Sequence, residues 1–279
     1  MLSLRTATAV ASPPARPHVW DPRQLAYLRD LHRRYEIDID ADALTADDLT
    51  ADGVTHTDLL DLLHAQLGVT APPADLIICA HALPDRVPSV QPASYLNALY
   101  GNRANSFAVS GQGLASPFTA LRIAAAYTRS QPGLTVAVAV LEQTTLPVRL
   151  PLVQERGLTD SGVLLVLKDG GDLSLRTLLP ADSTAHVRQW LDTIAAQPGS
   201  RRLLVTGATA VPGRTHGYDV HRARRDAYCT AVWAELAAHR RDWRDRYDHI
   251  VLVDTDPETG ESSLAHFTPR AEGGAYERL

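Results

Sequence analysis

Two cysteines, Cys79 and Cys229, are the residues of this chain that could supply a thiolate nucleophile. Cys79 sits in the apolar run Leu76–Ala80, which predicts an inert thiol inside a strand. Cys229 falls with Val232, Trp233 and Leu236 at helical spacing, which predicts a second core cysteine. Ser110 could attack a carbonyl only with a base beside it. It stands outside a G-x-S-x-G elbow and reads better as a strand-end serine bonded to its own turn. Gln112, between Gly111 and Gly113, could hydrogen-bond a substrate carbonyl, although two glycines equally suit a tight, close-packed turn. His81 follows a buried run and is a candidate to line a cleft. His216 and His221 bracket Gly217-Tyr218-Asp219-Val220, but no convincing set of further ligands surrounds them, so no metal site is expected. The catalytic candidates are therefore Ser110, Gln112, His81 and His216.

Arginines 222, 224, 225, 240, 241, 244 and 246 alternate with Asp226, Asp242 and Asp245, the pattern of a solvated face with local ion pairs. The sharper reading is an electropositive landing site for an acidic carrier protein or the phosphates of coenzyme A. Trp233 and Trp243 on the same stretch would also suit a subunit interface.

The whole chain is not basic. Its 279 residues hold 27 Lys+Arg against 32 Asp+Glu, a formal charge of −5. That argues against a nucleic-acid or anionic-membrane partner. Two cysteines cannot build a disulfide framework or a Cys-rich zinc site, and they suit a reducing compartment. No apolar run approaches 18 residues, and the start MLSLRTATAVASPPAR lacks the layout of a signal peptide, so a cytoplasmic protein is expected.

The elements that must position these residues read as an α/β chain. Leu2–Ala11 predicts a strand, and Asp21-Pro22 with Gln24 predicts a capped helix. The acidic stretch 38–53 reads as a solvated loop, and Thr57 as the cap of a helix carrying Leu59, Leu60, Leu63 and Leu67. Strands follow at 75–80, 106–110, 134–141 and 162–167, with helices at 92–100 and 114–129 between them. Strands apolar on both faces and separated by helices indicate a sheet covered on both sides. The second part repeats the theme: a strand at 173–179, a helix capped by Asp182 or Ser183, a strand at 202–207, a long helix over about 221–246, and a hairpin of 249–254 with 261–267. Two similar parts are expected, 1–170 and a shorter 171–279.

The order of pieces from 75 to 168 resembles the ketoacyl-ACP synthase III branch of the thiolase superfamily. Asp75–Ala80 with Leu83-Pro84-Asp85 resembles that family's strand and "T-P-D" turn. Pro92…Tyr100-Gly101 is similar to its next helix, and Phe107-Ala108-Val109-Ser110 to the strand entering the nucleophile turn. Asp160-Ser161-Gly162-Val163-Leu164-Leu165 is a weakened "G-D-G-A" strand, and HIVLVDTDPETGESSLAHF resembles the closing hairpin. The resemblance implies a five-layered αβαβα thiolase-like fold of two pseudo-duplicated halves, the second shortened. It implies a Cys-His-Asn site in catalytic members, a thiolate at a helix N-terminus taking the acyl group.

On that pattern the nucleophile falls on Gly113 or Leu114, and the turn Ser110–Leu114 holds no cysteine. The family's "H-Q-A-N" falls on Gly207–Ala210, and its "G-N-T" turn on Tyr228-Cys229-Thr230. The lost His and Asn positions are therefore Gly207, Ala210 and Cys229. The pattern resembles nucleophile-free subunits of heteromeric condensing enzymes, as in alkylquinolone biosynthesis. Chain-length factors of aromatic polyketide synthases also replace the Cys, often with glutamine, and Gln112 is one residue away. The implied role is a non-catalytic partner subunit in polyketide, fatty-acyl or antibiotic biosynthesis. A stand-alone acyltransferase with a non-Cys site, or an acyl-binding module, is the alternative. Expected partners are a Cys-bearing ketosynthase homologue, in a heterodimer or heterotetramer, or a second copy as a self-dimer. An acyl carrier protein is a further candidate partner. No permanent cofactor is expected, only an acyl-CoA or acyl-carrier-protein thioester.

Overall fold

A computed structural model describes residues 2–17, 23, 26–27, 30, 52–68, 72–87, 89–145, 150–207, 215–257 and 259–270. The helix predicted from Asp21 and the acidic loop 38–53 lie largely outside these residues. The first part runs β1 (Ser3–Ala11), α1 (His56–Leu67), β2 (Leu76–His81), α2 (Pro92–Leu99), β3 (Asn105–Val109), α3 (Ser116–Ser130), β4 (Val136–Glu142), α4 (Pro151–Arg156) and β5 (Ser161–Lys168). The second runs β6 (Leu173–Asp182), α5 (Thr184–Ala195), β7 (Arg202–Thr206), β8 (Asp219–Arg222), α6 (Ala231–Arg246), β9 (His249–Thr255) and β10 (Ser262–Pro269).

The strand order is β3-β2-β4-β5-β1-β6-β10-β9-β7-β8. Read inward from either edge, each half has the same order: third strand, second, fourth, fifth, first. The directions match too. β2 is parallel to β3 and β4, and β5 is antiparallel to β4 and β1. β7 is parallel to β8 and β9, and β10 is antiparallel to β9 and β6. The halves meet at a short antiparallel seam, where Ser3 pairs with Ser174 and Leu4 with Leu173.

Burial separates the layers. Leu76, Ile78 and Ala80 of β2 and Val136, Val138 and Val140 of β4 face an inner core shared with β7, β9, α3 and α6. Their alternates Ile77, Cys79, Ala137, Ala139 and Leu141 face an outer core under α1 and α2. Val187, Leu191 and Ile194 of α5 cover the other outer face. The result is the expected five-layered αβαβα thiolase-like arrangement. Strands covered on both faces explain why β2 and β4 read as continuous apolar runs.

Two boundaries differ from the sequence reading. The α1 cap is Thr55, whose hydroxyl accepts the Asp58 N–H while the Asp58 carboxylate accepts the Thr55 N–H. A capping box two residues before Thr57 satisfies two otherwise free donors. The single long helix predicted over 221–246 is instead the edge strand β8, a turn, and α6 from Ala231. Cys229 therefore lies in the turn ahead of the helix.

The middle layer is locked by Phe118 of α3 and Trp233 of α6, both fully buried, whose rings meet edge to face at 4.8 Å. Trp233→Ala leaves a cavity between the half-sheets and should lower unfolding free energy by about 3–5 kcal/mol, as read by urea denaturation.

Candidate functional site

In the parallel parts of each half the strands β2, β4, β7 and β9 end at one side of the inner layer, and α3 and α6 begin there. Carboxyl ends of parallel strands facing helix N-termini are where α/β folds form sites. The turn into α3 is a 3-10 segment, Gly113–Ala115, and Leu114 is buried in the inner core. Gly113, at φ +48°, is the cleft-facing residue: a β-carbon there would lie 2.8 Å from Asp256 Oδ2 and 3.3 Å from the Tyr228 hydroxyl. The Tyr228 hydroxyl in turn donates to Asp256 Oδ2 at 3.3 Å. The space a side chain at 113 would occupy is taken by these two groups.

The second half shows the same filling. Gly207 continues β7, its N–H donating to Val253 O at 3.1 Å. A β-carbon on it would collide with the Asp254 carboxylate, whose Cγ is 2.7 Å away. Any side chain at 207 thus requires Asp254 to leave. Ala210 lies outside the described residues.

Beneath the two turns lies Glu142, fully buried at the end of β4. Its carboxylate accepts the N–H of Tyr228 at 2.8 Å and of Cys229 at 2.6 Å. The Ser161 hydroxyl, 2.6 Å from the Thr230 hydroxyl, completes the surround. Glu142 lies two residues beyond inward Val140, as Asp254 lies two beyond inward Leu252, so the carboxylates take matching places in the two halves. Burial raises Glu142 to about 7 despite its donors. It raises Asp254 to about 8, the Glu142 charge adding to the effect. Arg156 of α4 stands over the Tyr228 ring at 5.6 Å.

Cys229 is no thiolate. Its thiol donates to Leu141 O at 3.5 Å, and burial, with Glu142 next to it, pushes its pKa well up. Cys79 is likewise held protonated by burial in the outer core.

The sequence candidates do not converge. Gln112 is exposed and accepts the Thr119 hydroxyl at 2.7 Å, tying it to its own helix. Ser110 is exposed, and among the described residues no base hydrogen-bonds it. His81 does not line the cleft, correcting that expectation. It alternates in phase with Ile77 and Cys79, faces the outer layer, holds Leu83 O at 2.9 Å through Nδ1 and lies 4.9 Å from the His56 ring. Burial lowers its pKa. There it lies beside fully buried His56 and near Asp85, whose carboxyl burial raises to about 6. His216 is exposed and precedes β8, whose start pairs with the start of β7. It is therefore at the opposite end of the strands from Gly207. His221, its supposed partner, faces Glu235 of α6 instead, at 2.8 Å.

Arg240, Arg241, Arg244 and Arg246 crowd the C-terminal half of α6, about 14–23 Å of helix from its first residue, while Arg222 ends β8 and Arg224 and Arg225 lie in the turn before α6. Arg240 donates to Arg5 O and to Asp172, and Arg246 reaches Asp242. Arg240, Arg241 and Arg244 line a groove of about 560 Å³. Asp254, which fills the place beside Gly207, and Glu142 beneath the turns escaped the sequence reading. Their signal was present: VAVAVLE and HIVLVD are apolar strands that each end in a carboxylate.

In sequence, no family model and no curated protein matches the chain. In structure it is similar to AbyA1, a tetronic acid condensing enzyme, with a TM-score of 0.62 at 12% identity over 96% of this chain and 100% of that one. OleA of Xanthomonas campestris, in a structure with bound lauric acid and lauroyl-CoA, matches with a TM-score of 0.59 at 12% identity, over 96% and 98%. The β-ketoacyl-[acyl carrier protein] synthase III (FabH) of Thermus thermophilus matches at 0.58 and 16%, over 96% and 99%. The chain has the ketoacyl-synthase-III-like thiolase fold over nearly its whole length.

The raised carboxyls set a pH dependence. The folded chain keeps protons that the unfolded chain releases above about pH 4–5, so their contribution is present in acid and lost as pH rises through about 7 to 8. Asp254→Asn should flatten this slope: thermal melts at pH 5.5 and 8.5 should differ less for the variant than for the parent.

Proposed function

We propose that this chain is a ketosynthase-III-like subunit that has given up its own acyl-transfer chemistry and serves as the non-catalytic partner of a Cys-bearing homologue in polyketide or fatty-acyl biosynthesis. The observation that carries this reading is the filling of both positions. Asp256 and Tyr228 occupy the place of a side chain at 113, and Asp254 occupies the place of one at 207. A site that had lost only its nucleophile would keep the room. Here the room has gone, and the remaining thiol, Cys229, is held protonated by burial.

Edge strand β3 supports the partner role. Among the described residues it pairs only with β2, which leaves its outer backbone groups available to another strand. Phe107 on it lies 6.4 Å from Tyr127 of α3, which is 40% exposed. Together they form an aromatic patch leading straight into the 110–113 turn. A homologue docked along β3 would abut that turn, where it could shape the partner's acyl pocket.

Two measurements test this. Co-expressed with a Cys-bearing ketosynthase III homologue from the same source, the chain should co-elute as a heteromer. Alone with acyl-CoA it should gain no acyl mass. Turnover by the isolated chain, or persistence as a monomer or self-dimer beside every homologue tried, overturns the proposal in favour of a stand-alone enzyme or an acyl-binding module. Gly113→Cys alone should also remain unacylated by intact mass, because Asp256 and the +48° backbone both oppose a side chain there.

A further inference from the structure

The edge of the second half-sheet carries a group of side chains that the cleft does not use. His221 lies on β8, and Glu235 and His239 lie one turn apart on α6. Their ligand atoms all fall within 4.8 Å of one another. His221 Nε2 is 2.8 Å and His239 Nε2 3.5 Å from Glu235 Oε2. Ligands about 2.0–2.2 Å from a tetrahedral zinc ion stand roughly 3.3 Å apart, so little movement is needed to admit one. Trp243, one turn further along α6, stacks on His239 at 5.1 Å and meets His221 edge-on at 5.2 Å. The indole thus fixes both imidazoles, as a built site requires. The nearby cation Arg224 is engaged by Asp226, so it is not committed to Glu235. Side-chain exposures of 32%, 13% and 45% for His221, Glu235 and His239 leave the group open to solvent.

We propose that His221, Glu235 and His239 bind a divalent transition metal, zinc foremost, with water completing the coordination. Two imidazoles and one carboxylate suit Zn²⁺ and disfavour Ca²⁺ and Mg²⁺, which want all-oxygen shells. The spacing of His216 and His221 had pointed to no metal. The second and third ligands come from a helix that begins after the strand, and His216 is not among them. Bound there, the ion would clip the four-residue edge strand β8 to α6.

The full-length protein, stripped with a chelator, would be titrated with Zn²⁺ by calorimetry at pH 7.5, and with Co²⁺ by visible absorption. Expected are one equivalent bound with micromolar or tighter affinity, a higher melting temperature with zinc, and cobalt d–d bands typical of low coordination. His239→Ala and Glu235→Gln should each weaken binding about tenfold or more, while His186→Ala, an exposed histidine elsewhere, should not. Variants that melt like the metal-free parent exclude misfolding as the cause. Equal zinc binding by parent, Glu235→Gln and His239→Ala, or none below about 100 µM, overturns the proposal and leaves a plain His–Glu–His ion-pair cluster.

Discussion

A carboxylate in a dry core must be met by donors, and Glu142 takes its two backbone donors from the other half of the chain. The N–H groups of Tyr228 and Cys229, 86 and 87 residues away, both point at it. This contact decides where the turn ahead of α6 sits. With that turn fixed, the Tyr228 hydroxyl reaches Asp256, and both come to rest against Gly113. Asp254, at the matching strand end, does the same to Gly207. A buried ionisable group costs several kcal/mol unless it is neutral or well bonded. Glu142 is met by two backbone N–H donors, and burial shifts both it and Asp254 toward their neutral forms.

The frame and the chemistry are separable here. The fold is the one shared with the condensing enzymes the chain resembles. Function on such folds resides in a few side chains, and positions 113 and 207 of this chain are glycines with occupied surroundings. Carboxylates stand against both positions, Asp256 at 113 and Asp254 at 207.

Much of the fold could be read from the sequence because its strands are buried on both faces. Runs such as LIICA and VAVAVLE have no competing interpretation once helices flank them. β8 was missed for the opposite reason. Its residues Asp219–Arg222 lie on an exposed edge with no apolar alternation, while the residues after it mimic helical spacing. Swallowing β8 into a helix also misplaced Cys229 and hid the relation of His221 to Glu235 and His239, which depends on a strand packing across a helix. His81 was misplaced by a simpler matter of phase, since the side chain one step along a strand faces the other layer. What occupies the space beside a glycine is a tertiary fact that no local pattern encodes.

The sheet order also governs how the chain is made. β1 leaves the ribosome well before its main partner β5, with Ser3 opposite Lys168. At about 5–20 residues per second, translation supplies that partner roughly 8–33 seconds later. Its other neighbour, β6, emerges later still. Throughout that interval β1 lacks both of its strand neighbours, and β2, β3 and β4 can pair without it. The first half can close only when β5 arrives between β4 and β1. Synthesis rate and chaperone supply, rather than final stability, would then set the yield of folded protein.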